Sequence, residues 1–287
     1  MGFRRGVQVV CLLAFWVLLG LAAYPLVPAL PVDAFLRLDP AAAAVTMAAA
    51  RAWIAAFLPA ALLLAATFLL GRFFCSHVCP LGTTIDGCDR LLQPSRPRDA
   101  VRVPAGWHRG KYLVLAALVG GALLGVSLVY LAAPLPLATR LYALILRPVL
   151  QLAADAALSA AHPLADRWDW TWLAFAQVPS HRYALPWFTF LGSGLVLALG
   201  LRAPRLWCRA LCPAGALLAL CARRPVIRRT VSPACTACGL CRRRCPVGAI
   251  GEDPRQTRHA ECIVCQTCVS VCPEKAVAFA ASGGGDR

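Results

Sequence analysis

The sequence predicts an all-α polytopic membrane domain, four transmembrane helices arranged as a two-helix repeat, followed by a small α+β domain built around cysteines. Three observations carry that expectation. The 287 residues are 60% hydrophobic and 15% charged, against roughly 45–50% apolar and about 25% charged in a soluble chain. The apolar residues are gathered into long runs, for which lipid is the default solvent. Fifteen cysteines fall in clusters with internal prolines, a pattern of metal ligation in a reducing compartment rather than of a disulfide framework.

Four runs suit a hydrocarbon core of ~30 Å, which takes roughly 17–25 helical residues: about 7–28, 52–70, 112–133 and 185–201, none with an internal charge. Pro25 and Pro59 lie within them, as membrane helices tolerate. The first run reads as an uncleaved anchor rather than a signal peptide, because it is long and Ala22-Ala23-Tyr24 is a poor cleavage site. A further stretch, Leu141–Ala160, contains Arg147, Pro148 and Asp155 and reads as an amphipathic helix on the outer surface.

The net charge of +16 is mostly a topology signal. The amino terminus carries +2, residues 71–111 carry +4 and residues 202–229 carry +7, while 29–51 and 134–184 carry 0 and +1. Basic segments stay in the cytoplasm, so the amino terminus, the middle loop and the carboxy terminus are placed there. No nucleic-acid partner is expected. Trp168, Trp170, Trp172 and Trp187 read as interfacial anchors on the outer face.

The membrane part contains a repeat. Gly71-Arg-Phe-Phe-Cys75-Ser-His-Val-Cys79-Pro80-Leu-Gly82 follows the second run, and Arg205-Leu-Trp-Cys208-Arg-Ala-Leu-Cys212-Pro213-Ala-Gly215 follows the fourth. A further cysteine comes nine residues later in each, Cys88 and Cys221. Proline disfavours helix at the residue before it and favours a helix start, so each Cys-x-x-x-Cys-Pro straddles a helix junction. Thiols there bind metal, exchange electrons or pack; two matched copies weight redox or metal chemistry. Cys88 and Cys221 are candidate extra ligands, and a repeat of this kind hints at a site between its halves.

Residues 235–272 hold the strongest signal. Cys235-Thr-Ala-Cys238-Gly-Leu-Cys241-Arg-Arg-Arg-Cys245-Pro246 is followed by Cys262-Ile-Val-Cys265-Gln-Thr-Cys268-Val-Ser-Val-Cys272-Pro273, the bacterial ferredoxin run written twice. In that run three close thiolates cap one 4Fe-4S cube and the fourth reaches the other cube. One cluster is therefore expected on Cys235, Cys238, Cys241 and Cys272, the other on Cys262, Cys265, Cys268 and Cys245. Zinc is the bland alternative. Arg242, Arg243 and Arg244 either raise the cluster potential or form a solvated turn. Cys11 reads as a buried small hydrophobe. There is no Cys-x-x-Cys-His haem motif, no Gly-x-Gly-x-x-Gly and no P-loop.

The expected organisation is a membrane domain over 1–229, a ferredoxin domain over 230–280 and a flexible tail over 281–287. Over nearly its whole length the chain resembles the NapH/MauN-type membrane ferredoxin proteins, relatives of NosR and CcoG. The resemblance implies electron transfer between the quinone pool and Fe-S or haem partner proteins of a respiratory or maturation system, at the bacterial inner membrane. It implies that Cys75, Cys79, Cys208 and Cys212 are redox-linked, in a subunit of quinol-dehydrogenase type. Two other readings stay open: thiol-dependent reduction of a metal ion such as copper, for which soft thiolates are suited, and redox sensing. No flavin domain of the NosR kind is recognisable.

Overall fold

A computed structural model describes residues 2–22, 32–92, 106–167 and 186–281. Trp168, Trp170, Trp172, the end of the first run and the tail beyond 281 lie outside the described residues.

The chain is mostly helical. In the first half, α1 (Gly2–Leu21), α2 (Ala34–Arg37), α3 (Pro40–Ala50) and α4 (Leu58–Leu70) lead to the first motif, where α5 (Phe74–His77) gives way to α6 (Pro80–Leu92). The second half repeats the order. Helices α7 (Trp107–Leu123), α8 (Val129–Ala132), α9 (Pro134–Leu141) and, after a π turn, α10 (Arg147–Arg167) precede α11 (Pro186–Arg202). Then α12 (Leu206–Ala210) and α13 (Pro213–Cys221) carry the second motif.

Packing follows a pseudo-two-fold. Within each half the first long helix packs on the motif, α1 on α5 and α6, α7 on α12 and α13. Between halves the partners are exchanged: α3 and α4 pack on α13, while α9 and α11 pack on α6. The repeat is therefore larger than a two-helix unit, because each half also inserts a short proline-led helix. Proline at the first helical position sets φ in advance and forfeits only an N–H with no helical partner. At α3, Asp39 accepts from the Ala41 and Ala42 N–H groups and from Leu135 N–H of the other half. That short buried carboxylate ties the two insertions together.

Hydropathy windows miss such elements. Among the described residues two helices, Gly2–Leu21 and Pro134–His162, are long and apolar enough to cross a membrane; Ala55–Leu70 and Thr189–Arg202 are shorter apolar helices. The stretch expected on the outer surface is part of the second of these long helices, and its start is not remote from the motifs: Leu135 and Ala138 are fully buried in the main core with Cys79 and Cys212. Charge counting treated Arg147, Pro148 and Asp155 as excluding a span, yet the helix runs on through Pro148 directly after the π turn at Tyr142–Leu146, as apolar helices tolerate. Large apolar side chains are exposed along α1 (Val9, Val10, Leu13), α4 (Leu62, Phe68) and α11 (Phe190, Leu191, Leu195).

The carboxy-terminal lobe is small. Strands β1 (Ile227–Val231) and β2 (Val277–Ala281) pair antiparallel, from Ile227 opposite Ala281 to Val231 opposite Val277. Two one-turn helices, α14 (Leu240–Arg243) and α15 (Thr267–Ser270), lie between them in sequence.

Glycine fixes one helix contact. A Cβ at Gly110 on α7 would stand 2.7 Å from the Ala210 carbonyl oxygen of α12, whereas one at Gly120 meets nothing within 4 Å. Gly110→Ala is expected to destabilise the protein by about 1–3 kcal/mol by overpacking, read as a lowered midpoint of thermal unfolding in detergent, while Gly120→Ala leaves it unchanged or raised.

Candidate metal centres

Residues 235–272 fold into two loops of the same shape. Ala237 and Gly239 flank Cys238 with φ of 54° and 73°; Val264 and Gln266 flank Cys265 with φ of 54° and 57°. A β-branched residue such as Val264 avoids the left-handed region. Left-handed residues at matching positions are the backbone pattern of nests, whose N–H groups receive anions and Fe-S clusters. Gly248 and Lys275, three residues after Cys245 and Cys272, share the left-handed backbone.

The thiols are gathered across the two runs. Cys235, Cys238, Cys241 and Cys272 line one cavity with Pro273. Cys245, Cys262, Cys265 and Cys268 line a second with Pro246. Among the described residues no three His, Cys, Asp or Glu groups converge on a point as a single ion would require; each set of sulfurs instead stands around a space. All-sulfur donors around a cavity, on loops with the backbone pattern of nests, fit a 4Fe-4S cluster.

One residue that charge patterning missed lies between these cavities. Arg229 on β1 is buried; its Nη2 donates to Cys241 Sγ at 3.4 Å and its Nη1 to Thr257 Oγ1 at 2.7 Å. It also lowers the Cys268 thiol, which burial pushes up to about 11. The arginines singled out from sequence lie further out: Arg242 reaches the exposed Glu252, and Arg243 donates to the Cys238 carbonyl. The usable signal was position: Arg229 is the middle residue of a strand whose partner strand follows the last cysteine.

A third gathering joins the two halves. Cys75, Cys79, Cys208 and Cys212 line one cavity together with Arg72 and Pro134. The capping is symmetric. Cys212 is the N-cap of α13 and its Sγ accepts from Gly215 N–H at 3.3 Å; Gly82 N–H bonds Cys79 in the same way. A Cβ at Gly82 would stand 2.7 Å from the Cys75 carbonyl oxygen, and one at Gly215 3.0 Å from Arg72 Nη2. Burial pushes up the thiols of Cys79, Cys212 and Cys208, the last to about 11, so bare they stay protonated and poorly nucleophilic at neutral pH. Cys88 and Cys221 line none of the three cavities, and Cys11 is only half-buried.

The arginine three residues before each first cysteine reaches into the opposite half. Arg205 donates to the Cys75 carbonyl at 2.6 Å and to the Gly82 carbonyl at 3.3 Å, and forks onto Asp86 at 2.7 and 2.8 Å. Arg4 also pairs with Asp86. Burial opposes charge on Asp86, but the two guanidiniums hold its carboxyl at about 2. In the other half the position matching Asp86 is Ala219. The carboxylate there comes from the tail: Glu261, beside Cys262, pairs with Arg72 at 3.2 Å and with Lys111. Arg72 Nη1 further donates to the Ala260 carbonyl at 3.2 Å.

The tail lobe is thereby fixed to the motifs. Ser76 Oγ donates to the Ile263 carbonyl at 2.6 Å, and Cys75 packs against the cluster of Val247, Ala249 and Ile263 on which Cys262 and Cys265 also pack. His77 is half-buried, its Nδ1 2.6 Å from Ser76 Oγ.

Comparison with known proteins places this chemistry. A family described as a 4Fe-4S binding domain matches residues 52–98 and again 184–232, the segments that carry the two motifs. Those two segments together make up about a third of the chain, and their likeness is to iron–sulfur proteins. It is 36% identical over 93 residues to an uncharacterized protein of Methanocaldococcus jannaschii, 32% of this chain and 37% of that one. Over 86 residues it is 35% identical to the putative electron transport protein YccM of Escherichia coli, 30% of this chain and 24% of YccM. Over 98 residues it is 40% identical to NirI of Paracoccus denitrificans, 33% of this chain and 14% of NirI. The matches thus span well under half of each relative. No solved structure matches.

Glu261→Gln leaves two buried cations with no counter-charge, a loss expected to cost about 3–5 kcal/mol. It is expected to release the tail lobe to limited proteolysis and lower the unfolding midpoint, while Glu252→Gln, at a 90% exposed side chain, changes neither.

Proposed function

We propose that the protein is a membrane-bound electron carrier, passing single electrons between the membrane quinone pool and redox partner proteins of a respiratory or maturation system. The observation that carries this reading is the partition of the eight tail cysteines into two four-sulfur cavities, one of them packed against the membrane-domain motif. Cys235, Cys238, Cys241 and Cys272 would hold one 4Fe-4S cluster, and Cys245, Cys262, Cys265 and Cys268 the other. Such clusters supply reversible one-electron chemistry whose potential follows charge, hydrogen bonding and exposure.

The protein's residues then have distinct tasks. Backbone N–H groups that bond the cysteine sulfurs, Val264 on Cys262 and Ala249 on Cys245, stabilise negative charge on sulfur. Arg229, held by Thr257, places one buried positive charge beside a ligand of each set. Glu261, Arg72 and Lys111 hold the second set against the membrane helices. In this reading α1, α4, α7 and α11 lie in the bacterial cytoplasmic membrane, with the amino terminus and the tail on the cytoplasmic side, where the basic segments belong. The relative YccM carries the description of a putative electron transport protein.

Two measurements test this. Reduced quinol added anaerobically to the detergent-purified protein is expected to produce the EPR signal of reduced clusters; oxidised clusters indifferent to every quinol offered would remove the quinone from the reading. Arg229→Gln removes a cation that favours the more negative, reduced state, so the tail's midpoint potentials are expected to fall, a tenfold change in a one-electron equilibrium being ~59 mV. Unchanged potentials would show that the arginine only packs.

A further inference from the structure

We propose that Cys75, Cys79, Cys208 and Cys212 are the ligands of a third iron–sulfur cluster, a 4Fe-4S centre shared by the two halves of the repeat. This deepens the electron-transfer reading and rests on it.

The donor set is the first argument. Two cysteines from each half line a single cavity, and its wall contains no histidine, aspartate or glutamate. An all-sulfur set selects soft metals and Fe-S clusters, and the sulfurs surround a space rather than meet at a point. The four come from junctions related by the pseudo-two-fold, so neither half can complete the site alone. Gly82 and Gly215 keep its rim open at matching positions, since a Cβ there meets the Cys75 carbonyl or the Arg72 guanidinium. The N–H groups of the same two glycines bond Cys79 and Cys212, as donors to ligand sulfur do.

Charge is the second. Two buried triads flank the cavity: Arg4, Arg205 and Asp86 in one half, Lys111, Arg72 and Glu261 in the other. Each has two cations and one anion and so is left with one positive charge. Uncompensated buried charge is costly. A 4Fe-4S core on four thiolates carries about two negative charges in its oxidised state, which cancels the excess. Arg72 supplies a matching vacancy: its side chain is 2% exposed, it lines the cavity, and its Nε is buried with no hydrogen-bond partner among the described residues.

Placement is the third. Cys75 packs against the same small cluster, Val247, Ala249 and Ile263, as Cys245, Cys262 and Cys265 of the tail's second set, and the Ser76 hydroxyl bonds the Ile263 carbonyl. A centre on Cys75 therefore stands between the tail and the membrane helices, with the tail's second set next to it and the first set beyond. Each transfer along that row oxidises one centre by one electron and reduces its neighbour by one, with no bond made or broken at the cysteines. On assembly the four thiols give up their protons to solvent.

The test is a count of iron and acid-labile sulfide on the full chain, purified anaerobically in detergent. Three clusters require about twelve of each per chain, and two require about eight. Cys208→Ser and Cys75→Ser are expected to lose about a third of the iron while the tail's EPR signals persist, which also shows that the variants are folded; Cys88→Ser and Cys221→Ser keep all of it. About eight irons in the unaltered protein, all traced to tail cysteines by Cys241→Ser and Cys268→Ser, would overturn the third centre and leave the electron-carrier reading standing. Zinc or copper bound in its place and released by Cys208→Ser would overturn it equally. A protein with no iron at all would overturn both.

Discussion

Two buried carboxylates, each clamped by two cations, are the constraint on which the arrangement depends. Arg205 and Arg72 are long, charged and almost wholly buried, and neither has a place in an apolar helix bundle without a counter-charge. Asp86 answers the first, Glu261 the second. Arg205 starts in one half of the repeat and ends on Asp86, Cys75 and Gly82 of the other, so satisfying it brings the two motifs face to face, while satisfying Arg72 brings in the tail. A buried ion pair is weak evidence for net stability, but removing one partner is severe, so these triads specify geometry more than they strengthen the fold. The Arg205 bonds to the Cys75 and Gly82 carbonyls make the same point: one side chain fixes the backbone on which two of the four motif thiols are mounted.

The asymmetry between the triads explains how a duplicated helical unit comes to bind the tail on one half alone. In the first half the carboxylate is local to α6. In the second its place is taken by Ala219, and the missing charge is imported from the tail, one residue before Cys262. The tail lobe is thus positioned by the need of a membrane-domain arginine, and the backbone that brings Glu261 in also brings Ile263 to Ser76. Docking and proximity of the sulfur sets have one cause.

Much of this was legible in the residues. The cysteine spacing of the tail, the two Cys-x-x-x-Cys-Pro phrases and their matched positions were all visible, and the Arg-x-x-Cys and Cys-Pro-x-Gly ends of the repeat lay in plain view without a reason for them. Periodicity carries no information on which half an arginine enters. Glu261 looked like an ordinary surface acid, because nothing local distinguishes a carboxylate that is satisfied by residues 150 and 189 positions away. Arg229 was passed over for the triple arginine at 242–244 for the same reason: sequence adjacency to cysteine is a poorer guide than strand position. The inserted helices at Pro40 and Pro134 escaped because a window long enough to detect a span averages over a turn that enters the bundle.

The tail lobe has little of its own to hold it. Its sheet has two strands, its helices a single turn each, and its two small cores consist of Cys241, Ile250, Cys268 and Val277 on one side and Val247, Ala249 and Ile263 on the other. Two of those seven buried side chains are candidate ligands. Lobes of this size are stabilised by staples rather than by apolar area, and where thiolates are the staples, metal binding free energy is folding free energy. The left-handed backbone at Val264 and Gln266 costs on the order of 1–3 kcal/mol per residue, which so small a core does not offset. Loop strain, shared sulfur sets and a docking carboxylate one residue from a ligand therefore belong to one coupled equilibrium: the loops that present Cys262 and Cys265 to a cluster also carry Glu261 to Arg72. Loss of either the metal or the ion pair weakens the other, and an electron path built on both is intact only when the lobe is loaded and docked.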